Sequence, residues 1–468
     1  MILLRGRDII VGDWVKEAKE VSKRTEELLK ADVQHIIHPW YVVGQNSGIV
    51  FEKAHGIYLV DTEGNQYIDM ASGNCCCNLG HGRREIIDAV TRAINETDFT
   101  TSFYGHSNPY TIECSQKLAN LTPGNLNHFH FTSGGSESVD SAIKIARFYW
   151  YNKGRASKTK IISLYDSYHG ASGFSTYATG TGSGTLQNAF GSVMPGFIRI
   201  PSYYCYRCTF GLNYPECNLR CARMLEEIIR AEGADGIAAF IAEPMMGSGG
   251  FFEPPPEWWP IIGEICRKYD VLLIADEVLS GFARTGKMFA VENWNIQPDI
   301  MTMAKGISGA YLPFGAVAVN GEVYKVLKGI AFMHGFTYSG HAIPAAAACA
   351  ALDIYVRDKV VANAAKVGNH IKQRLDAEFL PLPCVGNIGG MGINYAIELV
   401  TDKGTKTAIN PEVKVELIGK LLKNGIYTRS IGRLGNRLHI GPPCTTTIEE
   451  ADTALDIIRP LVAELKPI

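Results

Sequence analysis

The chain has 468 residues, with 45 Lys and Arg against 47 Asp and Glu and a formal net charge of −2. That length exceeds the usual size of one core, so two domains, or one large domain with a lobe, are expected, with room to close around a site. The balanced charge leaves no footprint for nucleic acid or an anionic membrane, and no apolar run reaches spanning length; a soluble, cytoplasmic protein that acts on small molecules is expected.

Residues 15–29 read as a charged amphipathic helix, with Val15, Ala18, Val21, Leu28 and Leu29 roughly on one side. His38-Pro39-Trp40-Tyr41 follows, then short alternating strands at 56–61 and 67–69 around a Glu63-Gly64-Asn65 turn. Cys75-Cys76-Cys77 reads as small buried residues in a strand or turn. From about Ile86 helical segments alternate with short apolar strands, among them 161–164, 236–241 and 271–275. Such alternation implies a mostly parallel sheet covered on both faces. After Pro344 an alanine-rich helix leads through Ile354-Tyr355 into a second lobe, with helices around 360–379 and 411–423.

Twelve cysteines are many, but a chain of this length folds without disulfides, and reduced thiols are the default. Cys205-x2-Cys208 and Cys217-x3-Cys221 form two close pairs across a short loop. They could supply four thiolates to a structural zinc; a thiol cluster or a redox-formed disulfide on an insertion are the alternatives.

The chemistry concentrates on two residues. The apolar run 271–275 ends at Asp276-Glu277, and Lys305 stands beside Gly306 after another apolar segment. A lysine there loses hydration, which frees its amine to form a Schiff base. Pyridoxal phosphate (PLP) needs that amine for its aldehyde and an acid such as Asp276 to keep its pyridine nitrogen protonated. The Gly134-Gly135-Ser136-Glu137 stretch before a helical segment at 139–149 suits a phosphate, because it presents backbone N–H groups at a helix N-terminus. Tyr168, in Tyr168-His169-Gly170, could cover one face of a pyridine while Val278 presses the other; Glu243 ends an apolar strand, at the edge where open α/β sheets put ligands. Each feature alone is equally an ordinary loop, cap or solvated side chain.

Taken in order, the words Ile274-Ala275-Asp276-Glu277-Val278-Leu279-Ser280-Gly281-Phe282-Ala283-Arg284-Thr285-Gly286, Pro298-Asp299-Ile300 and Lys305 resemble the signature of class III (omega-type) aminotransferases of the aspartate aminotransferase superfamily. The resemblance runs from about residue 35 to the C-terminus. It implies PLP-transferase fold type I: a large domain with a mostly parallel seven-stranded sheet flanked by helices, and a small α+β lobe built from both chain ends. The implied boundaries are 1–70 for the N-terminal arm and first strands, 71–335 for the PLP domain with its Cys-rich insertion at about 203–221, and 336–468 for the small domain. Carried over by position, Lys305 holds the cofactor aldehyde, Asp276 its ring nitrogen, Tyr168 and Val278 its faces, and Gly135 and Ser136 its phosphate. Gly134 stands where the family usually has Ser. Glu243 lies near the cofactor hydroxyl and the substrate end, and His169 has a structural hydrogen bond as its expected role. Thr337, in Gly335-Phe336-Thr337-Tyr338-Ser339-Gly340-His341, reaches the phosphate of a partner subunit, which implies a homodimer.

Substrate choice is read near the C-terminus. GABA and ornithine types keep a carboxylate-binding arginine where this chain has His439, and a Gln where it has Leu279. Arg433 is therefore the expected keto-acid anchor, with Arg437 second, and Trp40, Tyr41 and Phe103 are candidate pocket walls. The implied reaction is a ping-pong transfer from an omega-amino acid or amine to pyruvate or 2-oxoglutarate; the alternative on the same fold is a PLP lyase or racemase.

Overall fold

The computed structural model of the protein describes residues 21–181, 189–190 and 194–465. Its first helix is Lys23–His35, started by Ser22, whose side chain accepts from the Thr25 amide. Val15 and Ala18 of the helix expected over 15–29 lie outside the described residues, and Leu28 of that stripe is exposed. A capping serine marks a helix start more sharply than a weak apolar stripe does.

Sixteen strands follow among the described residues. In chain order they are β1 (Phe51–His55), β2 (Tyr58–Asp61), β3 (Gln66–Asp69), β4 (Leu126–Thr132), β5 (Lys160–Leu164), β6 (Phe197–Ile200), β7 (Ile237–Ala242), β8 (Leu272–Asp276), β9 (Ile300–Met303) and β10 (Gly315–Asn320). The C-terminal part adds β11 (Val385–Met391), β12 (Asn394–Asp402), β13 (Thr407–Ala408), β14 (Ile426–Tyr427), β15 (Ser430–Ile431) and β16 (Arg437–Ile440).

The central sheet has seven strands in the order β4-β10-β9-β8-β7-β5-β6. β10 alone runs against its neighbours β4 and β9, and the pairs from β9 to β6 are parallel. Every residue of β7 and β8 is buried, so both strands read as unbroken apolar runs. Alternate side chains face opposite ways: Ala239, Ile241, Leu272, Ile274 and Ile300 join the core beneath the helix Gly135–Asn152. Phe240, Ala242, Leu273, Ala275 and Met301 join the larger core on the other face. That helix buries Val139, Ala142, Ile143, Ala146 and Trp150 at helical spacing, and the Trp150 indole donates to the Ala238 carbonyl of β7 at 2.8 Å.

Two smaller sheets complete the molecule. β1, β2 and β3 form an antiparallel meander, and β14 pairs in parallel with β3, Ile426 opposite Ile68, so segments near both chain ends share one sheet. β11, β12, β16 and β15 form the other, with β13 along β12. The helix expected at 411–423 is Pro411–Lys423, and that around 360–379 is Val360–Arg374 followed by a wider turn, Leu375–Phe379. The alanine-rich helix, Ala342–Arg357, packs on Arg84–Glu96 and Pro109–Leu121 and also meets Val360–Arg374; its run of small side chains permits close approach on several sides. Among the described residues no helix is long and apolar enough to cross a membrane.

Candidate active site

β7, β8 and β9 end side by side, and each delivers one functional residue there. Ala242 is in register with Ala275, and Asp276 with Thr302. Glu243 therefore follows β7, Asp276 closes β8, and Lys305 comes three residues after Thr302. This is the carboxyl edge of a parallel sheet, where side chains leave the ladder toward an open crevice. Lys305 is half-buried, opens the short turn Lys305–Ser308, and holds a left-handed backbone with φ 47°. A non-glycine residue keeps that conformation only where its surroundings fix it.

Asp276 is 3% exposed and surrounded by donors. Thr302 Oγ1 donates to Oδ1 at 2.9 Å, the Val278 amide to the same oxygen at 3.1 Å, and His169 Nδ1 lies 2.6 Å from Oδ2. This set of hydrogen bonds fixes the orientation of the acid at the end of β8. His169 thus makes a structural bond to the acid.

Glu243 is equally buried and accepts from the Tyr168 amide and the Gly247 amide, each at 2.9 Å. Burial pushes its carboxyl up to about 7, with Asp276 adding to the rise and His169 opposing it. Leu279 packs at the same place: a methyl group on Gly247 would meet Glu243 Oε2 and Leu279 Cδ1, both at 2.7 Å.

The start of the helix Gly135–Asn152 faces this edge, and its first N–H groups have no carbonyl one turn earlier. A side chain on Gly135 would strike Val278 Cγ1 at 2.7 Å, so the helix start and Val278 press directly together. Ser136 Oγ accepts from the Ala171 amide at 3.1 Å. Gly170, at φ 141°, has Ser175 Oγ and Ser136 Oγ within 2.7 Å of where a β-carbon would be, which explains the glycine after Tyr168-His169. Trp40 is 57% exposed, with its ring 6.2 Å from that of Tyr168. Tyr41 is also exposed and donates to the Asn46 carbonyl at 3.2 Å.

Thr337 is exposed on the turn 337–340, which is tied back by Ser102 donating to the Ser339 carbonyl at 2.6 Å. Its neighbour Tyr338 is exposed with Phe99 6.0 Å away, Phe103 and Tyr104 are exposed 6.1 Å from each other, and Ile330 and Met333 are exposed in the segment that leads to the turn.

The C-terminal arginines separate sharply. Arg433 is exposed on the turn between β15 and β16 and acts electrostatically on Asp166. Arg437 is 2% exposed and ion-paired at 2.6 Å with Glu398, which also accepts from Tyr204 and Arg207 of the Cys-rich segment. Its charge is committed to that pair. His439 is fully buried, stacked on Phe251 at 4.3 Å, and burial reinforced by Arg429 and Arg284 holds it well below the usual imidazole range. Arg429 was not singled out by the sequence pattern. It is the cross-strand neighbour of His439, whose amide donates to the Arg429 carbonyl at 3.0 Å. Its guanidinium contacts Asn74 and reaches Cys75 Sγ at 3.3 Å, and its buried Nε has no partner among the described residues.

All twelve cysteines are free thiols. Cys205, Cys208, Cys217 and Cys221 line one small cavity of about 20 Å³ with Tyr203, Tyr204 and Phe210. The zinc site expected from their spacing is not formed: among the described residues no three Cys, His, Asp or Glu side chains stand where they could hold a metal. Burial pushes Cys205 up to about 11 and Cys221 up to about 12, so both stay protonated and packed.

Comparison with known proteins bears on this geometry. A family profile described as aminotransferase class-III matches residues 41–462. The chain is 35% identical to a putrescine–pyruvate aminotransferase of Pseudomonas aeruginosa, over 88% of this chain and 89% of that one. It is 36% identical to a diaminobutyrate–2-oxoglutarate transaminase of Halomonas elongata, over 87% and 89%. Among solved structures, an (S)-enantioselective omega-transaminase from Thermomicrobium roseum superposes with a TM-score of 0.89 at 38% identity, covering 94% of this chain and 98% of that one. The omega-transaminase of Pseudomonas jessenii in complex with PMP does so with a TM-score of 0.87 at 33% identity, covering 93% and 97%. Class III aminotransferases work with PLP, and the residues fit it: a lysine held at the sheet edge, a buried carboxylate with three donors, and a helix start left open by Gly134, where a β-carbon would meet nothing within 4 Å. The chain belongs to the class III aminotransferases, PLP-dependent enzymes of fold type I.

Proposed function

We propose that the protein moves the amino group of an omega-amino acid or simple amine to a keto acid, pyruvate or 2-oxoglutarate, in two half-reactions. The observation that carries this reading is the Asp276 carboxylate, buried and held by His169 and Thr302 beside the strand that leads to Lys305. Relatives that act on putrescine with pyruvate and on diaminobutyrate with 2-oxoglutarate support both acceptor classes.

PLP, when bound, supplies an electron sink for the amino carbon. Lys305 would hold its aldehyde and, once displaced by the donor, carry a proton to and from the reacting carbon. Asp276 would keep the ring nitrogen protonated, Val278 and Tyr168 would confine the ring, and Gly135 and Ser136 would bind the phosphate at the helix start. Glu243 would contact the cofactor hydroxyl and the substrate end. Trp40 and Tyr41 would form part of the pocket wall. Thr337 would complete the phosphate site of a second copy, which makes the working unit at least a homodimer in the cytoplasm; the exposed apolar residues around Thr337 support this. On this reading 71–335 carries the cofactor, while 1–70 and 336–468 cover it.

For the keto-acid carboxylate the geometry favours Arg429 over Arg433. Arg429 stands beside His439, where the GABA-type arginine would be, and a guanidinium with an unpartnered buried Nε suits a carboxylate. Arg433 remains the alternative anchor.

The test is a half-reaction. Given putrescine or 4-aminobutyrate and no acceptor, the PLP-loaded enzyme should convert its cofactor to the pyridoxamine form, and pyruvate or 2-oxoglutarate should restore it. A lyase or racemase would turn over its amino compound and leave the cofactor in the aldehyde form, which would refute the proposal.

A further inference from the structure

The turn that follows β3 is unusual in its backbone. Ser72, Gly73 and Cys75 have φ of 49°, 62° and 56°, three left-handed residues within four positions. Adjacent side chains of an extended strand diverge, but this turn curls Cys76 and Cys77 back around Gly73. A β-carbon on Gly73 would lie 3.0 Å from Cys77 Sγ and 3.3 Å from Cys76 Sγ, so both sulfurs crowd one point. Asp69 Oδ2 anchors the turn by accepting from the Gly73 amide at 2.6 Å. Both thiols are partly exposed, unlike Cys75, which is buried against His439 and Arg429. The expectation of three small buried residues therefore holds for Cys75 alone.

We infer that Cys76 and Cys77 form a vicinal dithiol modification site for trivalent, thiophilic electrophiles of the arsenoxide class, and that its occupation obstructs Lys305. Two sulfurs near one point can both bond to one arsenic centre, whereas a single thiol forms an adduct that hydrolyses readily. The exchange is redox-neutral: two S–As bonds form, the As–O bonds of the arsenoxide break, and its oxygen leaves as water with the two thiol protons. The environment favours capture. Contact with the Cys77 thiol, and the positive charges of Lys305 and Arg284, hold the Cys76 thiol below its usual range, and thiolate is the reactive form. Cys77, beside Cys76 and near Asp69, is pushed up and keeps its proton until the first bond has formed. The obstruction follows from placement: Asn78, next to Cys77, packs against Gly306, where a β-carbon would lie 2.3 Å from Asn78 Nδ2, so a bulky group on the dithiol enters the surroundings of Lys305. It rests on the assignment of Lys305 as the PLP lysine; the capture does not.

The experiment uses phenylarsine oxide with the full-length protein. Wild type should gain the mass of one phenylarsine oxide less one water on the tryptic peptide 54–83, stable to a monothiol and removed by 2,3-dimercaptopropanol. Cys76→Ser and Cys77→Ser should each lose the monothiol-stable adduct on that peptide, and Cys75→Ser should retain it. The treated protein should also fail to trap PLP on Lys305 under borohydride, and trapping should recover after the dithiol. A stable adduct that persists on the peptide in either serine variant, or that forms only among Cys205, Cys208, Cys217 and Cys221, would overturn the site. Capture at Cys76 and Cys77 with undiminished PLP trapping on Lys305 would overturn the obstruction while leaving the dithiol.

Discussion

Asp276 shows what a single residue can carry at this site. Its carboxylate is buried, yet three donors hold it, so Asp276→Asn should fold and still bind PLP while kcat falls by about a hundredfold or more. Stopped-flow absorbance of the half-reaction checks this, and near-normal turnover would remove Asp276 from the ring-nitrogen role. Glu243 makes a different prediction. Its native carboxyl is raised to about 7, so between about pH 4.5 and 7 the folded protein holds a proton that the unfolded chain has released. Stability from this group is complete below the unfolded value and declines as pH rises through 7, by about 3 kcal/mol in all. Glu243→Gln should flatten that part of the pH profile in urea unfolding of the cofactor-free protein. Glu277 is raised to about 7 as well, chiefly by burial, so a residual slope from it should remain.

At the scale of elements, two strand connections separate the candidate acceptor arginines. The turn between β15 and β16 leaves Arg433 exposed, while β16 buries Arg437 against Glu398. Breaking a buried pair leaves an uncompensated charge, so Arg437→Ala should lose about 3–5 kcal/mol in urea unfolding. An unchanged midpoint would mean that the pair is not structural. Arg429→Ala should instead leave the unfolding midpoint close to wild type and raise the KM for pyruvate or 2-oxoglutarate by one or more orders of magnitude. A lost bidentate carboxylate contact predicts that loss, and a donor without a carboxylate should be spared. If Arg433→Ala gives the kinetic pattern and Arg429→Ala does not, the anchor is on the turn. The helix start has its own test: Gly135→Ala drives a methyl group into Val278 and should weaken PLP retention on dialysis before it affects the fold.

The whole molecule joins segments far apart in the chain. β14 joins β3, so the strand before Arg429 is held beside the strand before the Ser72–Cys75 turn, and the Arg429 guanidinium reaches Cys75 across the two. Tyr338 beside Thr337, Phe99 against it, and the exposed Met333 and Tyr104 would be an aggregation liability on a monomer. Light scattering should therefore give at least a dimer at assay concentration, and Met333→Asp should dissociate it and lower PLP affinity together. An active monomer would contradict the shared phosphate site.

The placement of Asp276, Lys305 and Glu243 at the sheet edge was legible in the sequence because each is local: a polar or charged residue placed just after an apolar run whose neighbours in the sheet are also apolar runs. The parallel sheet was legible for the same reason, since β7 and β8 are buried on both faces and carry no alternation to confuse with a surface strand. The glycine-rich helix start proposed for the phosphate lay in a short contiguous word. What the sequence hid depends on residues far apart in the chain. His169 meets Asp276 across 107 positions, and Arg429 meets Cys75 across 354. Counting back from Pro442-Pro443 pointed to Arg433, which stands exposed on the turn before β16, while the packing of β14 against β3 places Arg429 beside His439 and Cys75. Spacing likewise brought Cys205, Cys208, Cys217 and Cys221 to one cavity without the convergence that a metal requires, while three left-handed residues, invisible in the letters, turned Cys76 and Cys77 toward a common point. Local words in the sequence determine which chemistry the sheet edge carries; the packing of distant segments, which no local pattern encodes, decides which side chains surround it.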